Sequence, residues 1–424
     1  MRARWGALIA AGESRSLLAS AAAYCALLAG YYMLRSLREA FALQVGRDSI
    51  GTLFYVTFAV MLAILPLYWL IVARTPRRWL VPSIYGAVIV LFAALATSLA
   101  SSPGSRGLAA LYFVAVTSLN LFIVSVFWST MVDAWRSGAA KRVFGFVAAG
   151  GSVGALLGPL FNSLFVVRLG PSYVIYVACA LLGLAIVGAR YAQRELLANA
   201  PDSHHALDVA VGGRALDDLA RLARSPYLLA IAGLIVAGQI LGAFMYNEQA
   251  KYVEIAYATL NERAALFARI DFGVNLLSLL FQTLIVGYLA SRGGLRLALS
   301  AIPVLLIVSL VVLAMLPIGA VLIATQVFRR AVDYGLFKPT REMLFTVLNA
   351  ESKFKSKSLL DTALQRGGDS AGQLIYGLIA GLGLSGVAWI SAALCAAMLG
   401  VAAWIGGAFG VRERQEQADG AVGD

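Results

Sequence analysis

Arginine recurs in this chain where an otherwise apolar sequence has little reason to carry charge. The string Tyr31-Tyr-Met-Leu-Arg35-Ser-Leu-Arg38-Glu39 sets Arg35 and Arg38 three apart, on one face of a helix, with Glu39 one turn beyond Arg35. Glu248 and Lys251 close another apolar run, and Arg269 and Asp271 open the next. Arg329, Arg330 and Asp333 are followed by Lys338, Arg341 and Glu342, and Asp361, Arg366 and Asp369 complete the series. A guanidinium offers a planar fork to carboxylate or phosphate and keeps its charge when partly buried, so the chemistry in view is capture of an anion. The acids leave two other uses open. Arg35–Glu39, Arg330–Asp333 and Arg366–Asp369 have the spacing of helical ion pairs, and Glu39, Asp271 or Asp333 could carry a proton. Tyr31, Tyr32, Phe328, Tyr334 and Phe337 lie near these charges, able to stack on a ring or to line a wall.

The elements that must position these residues are membrane helices. Of 424 residues, 60% are hydrophobic and 13% charged, against about a quarter charged in a soluble domain. The mean hydropathy of +0.81 excludes a water-soluble enzyme, a nucleic-acid binder and a disordered chain. Cys25, Cys179 and Cys395 all sit in apolar runs without metal-ligand spacing, and His204 and His205 form an isolated pair in a polar stretch, so neither a metal site nor a disulfide framework is expected. No Gly-x-x-x-x-Gly-Lys-Ser/Thr loop occurs, and no cofactor is expected.

A spanning helix takes roughly 20 apolar residues. Uncharged windows run 16–34, 49–73, 79–105, 107–132, 143–167, 169–189, 225–247 and 272–291. Two longer windows, 297–328 and 370–411, hold two helices each, divided at Pro317 and at Gly381-Leu-Gly-Leu-Ser-Gly386, so twelve helices are expected. The first of these windows is too short for two spans. Helix 10 must therefore run on past Arg329, Arg330 and Asp333, which puts those charges near mid-membrane. With the N-terminus inside, 21 Lys and Arg fall on the inner side and 5 on the outer, which predicts both termini in the cytoplasm. The eight left over are Arg35, Arg38, Arg269, Arg329, Arg330, Lys338, Arg341 and Arg366. The expected organisation is a six-helix bundle over 1–190, a cytoplasmic linker over 191–226, a second six-helix bundle over 227–410 and a polar tail over 411–424. The first residues do not read as a cleavable signal, because Glu13 and Arg15 interrupt a short apolar stretch.

The two halves echo each other. Gly287-Tyr-Leu-Ala-Ser-Arg292-Gly-Gly-Leu-Arg296, after helix 8, resembles the major facilitator signature G-x-L-a-D-R-x-G-x-R, with Ser291 in place of its Asp. The loop after helix 2 repeats two arginines four apart, Arg74 and Arg78. Gly150, Gly154 and Gly158, followed by Pro159, stripe helix 5, and Gly367-Gly-Asp-Ser-Ala-Gly372 lies at the corresponding place in helix 11. Such stripes let helices approach closely. The fold class expected is an all-α membrane protein of the major facilitator type.

Residues 31–39 resemble the first helix of the ATP/ADP antiporter (Tlc) family of nucleotide translocases. Lys141-Arg-Val-Phe-Gly-Phe-Val-Ala-Ala-Gly-Gly151 is similar to that family's helix 4–5 connection. Asp333-Tyr-Gly-Leu-Phe-Lys-Pro-Thr-Arg-Glu-Met-Leu-Phe345, with the later Lys355-Ser-Lys-Ser-Leu-Leu-Asp361-Thr, resembles its YxLFxPxxEM…KxKxxxD block. The resemblance implies exchange of ATP for ADP, or related nucleotide traffic, by alternating access between two six-helix bundles. It places a functionally important cation of helix 1 on Arg38, and an acidic residue with its following lysine on Glu248 and Lys251. The family's helix 4 glutamate has no clear match, Asn120 being the nearest polar group. In helix 11 the plastid-type Gly-Lys-Ser-Gly-Gly becomes Gly368-Asp-Ser-Ala-Gly372, so Asp369 stands where a cation stands there, and Arg366 is the candidate to replace it. The expected partners are a nucleotide or another phosphorylated anion and the lipid bilayer, with no nucleic acid or protein partner. The expected binding set is Tyr31, Arg35, Arg38, Glu248, Lys251, Arg329, Arg330, Lys338 and Arg366, with Glu39, Asp271, Asp333 and Asp369 as coupling or charge-pair groups. A proton-coupled carrier or exporter of another substrate, and a membrane sensor or scaffold, are the competing readings.

Overall fold

The computed structural model describes residues 13–135, 137–198, 225–344 and 364–422, and the regular structure among them is helical throughout. In chain order the helices are α1 (Glu13–Val45), α2 (Ile50–Arg74), α3 (Arg77–Ser101), α4 (Arg106–Ala134), α5 (Ser137–Leu169) and α6 (Pro171–Ala198). Then come α7 (Pro226–Ala256), α8 (Leu260–Phe281) and α9 (Gly287–Met315). The helix α10 runs Gly319–Val332 and continues through a π turn, Asp333–Phe337, into Lys338–Leu344. Last are α11 (Gln365–Ile379) and α12 (Gly383–Val422). Ten helical stretches among the described residues are long and apolar enough to cross a membrane, so the protein is an integral membrane protein. The charged α10 is not among the ten, and α11 and α12 fall within a single stretch, Gln365–Arg412.

Local sequence explains the ends. Pro171 and Pro226 open α6 and α7, where a missing backbone N–H costs nothing. Ser105 caps α4 by accepting from the Leu108 amide at 3.3 Å. At α8, Thr259 Oγ1 accepts from the Glu262 amide while Glu262 Oε2 accepts from the Thr259 amide, a reciprocal capping box. Pro317 lies in the turn between α9 and α10, as its position in the sequence predicts. Gly383, at φ 69°, breaks α11 from α12 in a backbone region where a Cβ would clash. One sequence expectation changes: residues 287–296, read as a loop between helices 8 and 9, are helical, and a π turn at Gln282–Val286 joins α8 to α9 without a break.

The chain divides into two compact units, Met1–Ala210 with Tyr257–Phe272, and Val211–Ala256 with Gly273–Asp424. In the first, α1 packs along α4, α5 and α6. Gly150, Gly154 and Gly158 of α5 meet Ala21, Cys25 and Ala29 of α1, each glycine lying directly on a main-chain carbonyl. Both partners thus follow a four-residue period, and van der Waals contact between backbones replaces the hydrophobic effect that lipid cannot supply. A side chain at Gly154 would strike Cys25 O. Gly154→Val is therefore expected to destabilise by at least 1–3 kcal/mol, roughly the cost of overpacking. Loss of monodisperse protein, or a lower melting temperature in detergent, checks this.

In the second unit α7 packs on α11 and α9 on α12. Leu299, Ile302, Leu306, Leu310 and Leu313 of α9 share a core with Ala388, Ala392, Cys395, Met398, Ala402 and Ile405 of α12, both at three- and four-residue spacings. Gly368 and Gly372 of α11 sit on Val236, Gln239, Ile240 and Ala243 of α7. This seam corresponds to the one between α5 and α1.

The π turn in α10 has a chemical cause. Pro339 has no N–H and its ring crowds the carbonyl four residues back, so α-helical pairing fails there. The Lys338 amide instead reaches Asp333 O, and Tyr334 O accepts from Gln282 Nε2 at 3.0 Å. The whole of α10 covers about 39 Å at 1.5 Å per residue, and Arg329 lies roughly 15 Å from its start. A helix of that length matches a hydrocarbon core of about 30 Å, and it runs on through Arg329, Arg330 and Asp333, as the window arithmetic predicts.

Candidate functional site

In the first unit the charged residues of α1 meet α4. Arg38 Nη1 donates to Thr117 Oγ1 at 3.3 Å, Nη2 bonds Glu39 Oε1, and the guanidinium lies 5.3 Å from the centre of the Phe113 ring. Phe113 and Thr117 are four apart, so one face of α4 supplies both the ring and the hydroxyl. Arg38 and Glu39 are largely buried. Glu39 thus binds its immediate neighbour in the sequence. One turn earlier Arg35 lies over the Tyr32 ring at 5.4 Å, and Tyr32 meets buried Tyr31 edge to face. The turn leading into Arg38 is also tied down: Tyr112 Oη donates to Leu34 O at 3.0 Å, and Asn162 Nδ2 to Met33 O at 2.8 Å and Ser36 Oγ at 2.6 Å. In α8, Asp271 is buried and Arg269 exposed. The side chains of Asn120, Lys141 and Arg142 lie outside the described residues.

In the second unit a polar ladder crosses the glycine seam from α7 to α11. Gln239 Nε2 donates to Asp369 Oδ1 at 3.0 Å, and Asp369 Oδ2 holds Arg366 Nη1 at 3.4 Å. Asn247 Nδ2 donates to Gln373 Oε1 at 2.8 Å, and Tyr376 Oη to Glu248 Oε1 at 2.9 Å. Glu248 is only 3% exposed, while Lys251, three residues on, is half-buried. The spacing-derived pair Arg366–Asp369 is thus present, and Glu248 is held across the seam by a tyrosine that sequence reasoning did not select.

The charges of α10 point to different surroundings. Arg329 lines a cavity of ≈20 Å³ with Asp333, between Gly238 and Leu241 of α7, Ile302 and Leu306 of α9, and Met398 of α12. Its Nε donates to Gln326 Oε1 at 2.9 Å. That volume holds about one water. Lys338 Nζ lies 4.2 Å from the centre of the Tyr334 ring, and buried Arg341 reaches Glu342 at 3.5 Å. Arg330 is half-buried. Asp361 and the lysines at 353, 355 and 357 lie outside the described residues.

Sequence reasoning missed Tyr112, Phe113, Thr117, Asn162, Gln239, Asn247, Gln373 and Tyr376. The available signal was uncharged polarity inside otherwise apolar windows, where an amide or hydroxyl has to find a partner.

The buried charges thus lie on all-α membrane-crossing elements, in two units that are each built on a glycine seam. Solved structures agree on the fold. A bacterial homologue of the human lysosomal transporter Spinster is 13% identical, with a TM-score of 0.52 over 96% of this chain and 98% of that one. The nucleoside transporter NupG is 13% identical, with a TM-score of 0.57 over 95% and 99%. Residues 306–414 match the family model of the TLC ATP/ADP transporter. ADP,ATP carrier protein 1 of Chlamydia pneumoniae is 24% identical over 179 residues, 38% of this chain and 35% of that protein. Its counterpart in Chlamydia muridarum is 24% identical over 183 residues, 36% and 33%. The matched stretch thus spans about a third of the length of these curated relatives.

Proposed function

We propose that this protein is a secondary transporter that exchanges nucleotides of the ATP/ADP class, or a closely related phosphorylated anion, by alternating access. The observation that carries the reading is Arg38, a largely buried guanidinium on a spanning helix, presented by Thr117 and Phe113 and paired with Glu39. Charge at membrane depth is costly and marks a substrate or ion path. Arg35, Arg38, Arg330, Lys338 and Arg366 contact phosphate, Tyr31 backs the cationic face of α1, and Glu248 and Lys251 act at the end of α7. Asp369 tunes Arg366 in place of the family's lysine. Arg329 and Asp333, on their small cavity, balance charge inside α10, and Glu39 and Asp271 serve as counter-charges. Names support the same reading: the curated relatives are ADP,ATP carriers. The protein resides in a bacterial inner membrane with both termini in the cytoplasm, bundles over 1–190 and 227–410 and a linker over 191–226, as the surplus of inner-side Lys and Arg supports. It is not an enzyme and works without a cofactor.

A thermal-shift panel tests the substrate class. A ligand at a hundred times its Kd stabilises the folded state by about 2.7 kcal/mol. ATP and ADP are expected to raise the melting temperature more than inorganic phosphate or a sugar phosphate. Stabilisation by sugar phosphates alone would move the substrate to another phosphorylated class.

A further inference from the structure

We propose that Tyr112 and Asn162 are positioning residues that set the rotation of α1 and so aim Arg38 at the substrate phosphate; the proposal rests on the reading above. In an α-helix the carbonyl of Leu34 accepts the backbone N–H of Arg38 itself. Tyr112 Oη donates to that same carbonyl at 3.0 Å from α4. On the adjoining carbonyl, Met33 O, Asn162 Nδ2 donates at 2.8 Å from α5, and the same amide reaches Ser36 Oγ at 2.6 Å. Two neighbouring helices thus grip successive carbonyls of the turn that leads into Arg38.

Packing alone does not require these groups. The seam between α1 and α5 is already closed by Gly150, Gly154 and Gly158 on Ala21, Cys25 and Ala29, and Asn162 stands one turn past its end. Ser36, Tyr112 and Asn162 are all fully buried, where an amide or hydroxyl is more costly than a hydrocarbon of the same size. The carbonyls they meet gain a second donor without needing one, since each lies inside a continuous helix. What the extra bonds supply is direction. A glycine seam lets helices slide and roll, whereas bonds from two sides to adjacent carbonyls fix both the register and the azimuth of α1. Tyr112 also precedes Phe113 and lies five residues before Thr117, so α4 holds the backbone of Arg38 and its guanidinium at once.

The test is a double-mutant cycle on ADP affinity in purified full-length protein. Tyr112→Phe removes one oxygen, and Asn162→Leu removes the amide at nearly constant volume. Each is expected to weaken ADP binding about tenfold in the otherwise unaltered chain, the effect of losing one well-aimed charge-assisted contact. In an Arg38→Lys background, which lacks the fork to be aimed, each is expected to cost less than twofold. Equal losses in both backgrounds, or unchanged affinity in both variants that fold, would overturn the proposal. If Asn162→Leu fails to fold, Tyr112→Phe decides alone, since it leaves the ring and its packing in place. If the unaltered protein binds no nucleotide, the proposed function itself falls first, and that result is distinct from an unaltered cycle.

Discussion

Arg38→Gln is expected to reduce nucleotide exchange by about a hundredfold while the protein still reaches the membrane. The guanidinium meets Thr117 at 3.3 Å, the Phe113 ring at 5.3 Å and the carboxylate of Glu39. Glutamine keeps a donor for Thr117 but removes the positive charge and leaves Glu39 buried beside a neutral amide. A hydrogen bond to a charged group contributes about 1.5–3 kcal/mol, and every 1.4 kcal/mol is roughly tenfold. Arg38→Lys retains the charge and loses the planar fork, so it is expected to cost about tenfold, mostly as weaker affinity. Initial rates in proteoliposomes, beside a melting temperature for each variant, separate lost binding from lost stability. Equal rates for the glutamine and unaltered proteins would remove Arg38 from the substrate path.

A charge inversion at α11 has the second large effect. Asp369→Lys restores the residue type of the plastid-type motif, yet here it would set an ammonium against Arg366, which the carboxylate now holds at 3.4 Å, and against the Gln239 amide donor. The single substitution is expected to lower both melting temperature and transport, because removing one partner of a buried pair leaves the other uncompensated, at roughly 3–5 kcal/mol when burial is complete. Both groups here are partly exposed, 26% and 19%, so the lower end of that range or less applies. Combining it with Arg366→Asp exchanges the two charges and is expected to recover most of the melting temperature but not the transport rate. Recovery of both would make the pair purely structural. Full transport in Asp369→Lys alone would show that α11 can bear a cation at either position.

Some of this architecture is legible in residues alone. Pro317 and the Gly381–Gly386 stretch mark the two breaks in the overlong windows, since each locally forbids a continuing helix. Arg366–Asp369 is readable because helical spacing alone brings its members together. The length deficit of the window 297–328 correctly carries α10 through Arg329, Arg330 and Asp333. Cross-helix partners are a different matter. Thr117 is 79 residues from Arg38, Gln239 130 from Asp369 and Glu248 128 from Tyr376, and no local period encodes those meetings. The direction of Arg329 is likewise set by which neighbours close its cavity. The π turn at Asp333–Phe337 shifts the helical phase of every residue after it, so Lys338 and Arg341 cannot be assigned to a face by counting from Arg329, although Pro339 was the visible sign.

The central claim is nucleotide-for-nucleotide exchange, and uptake of labelled ATP into proteoliposomes of the purified protein tests it most directly. Rapid uptake is expected when the vesicles are preloaded with ADP, little uptake when they are empty, and no response to an imposed pH gradient. Uptake that proceeds in empty vesicles and follows the pH gradient, or no uptake of any nucleotide by folded protein, would contradict it.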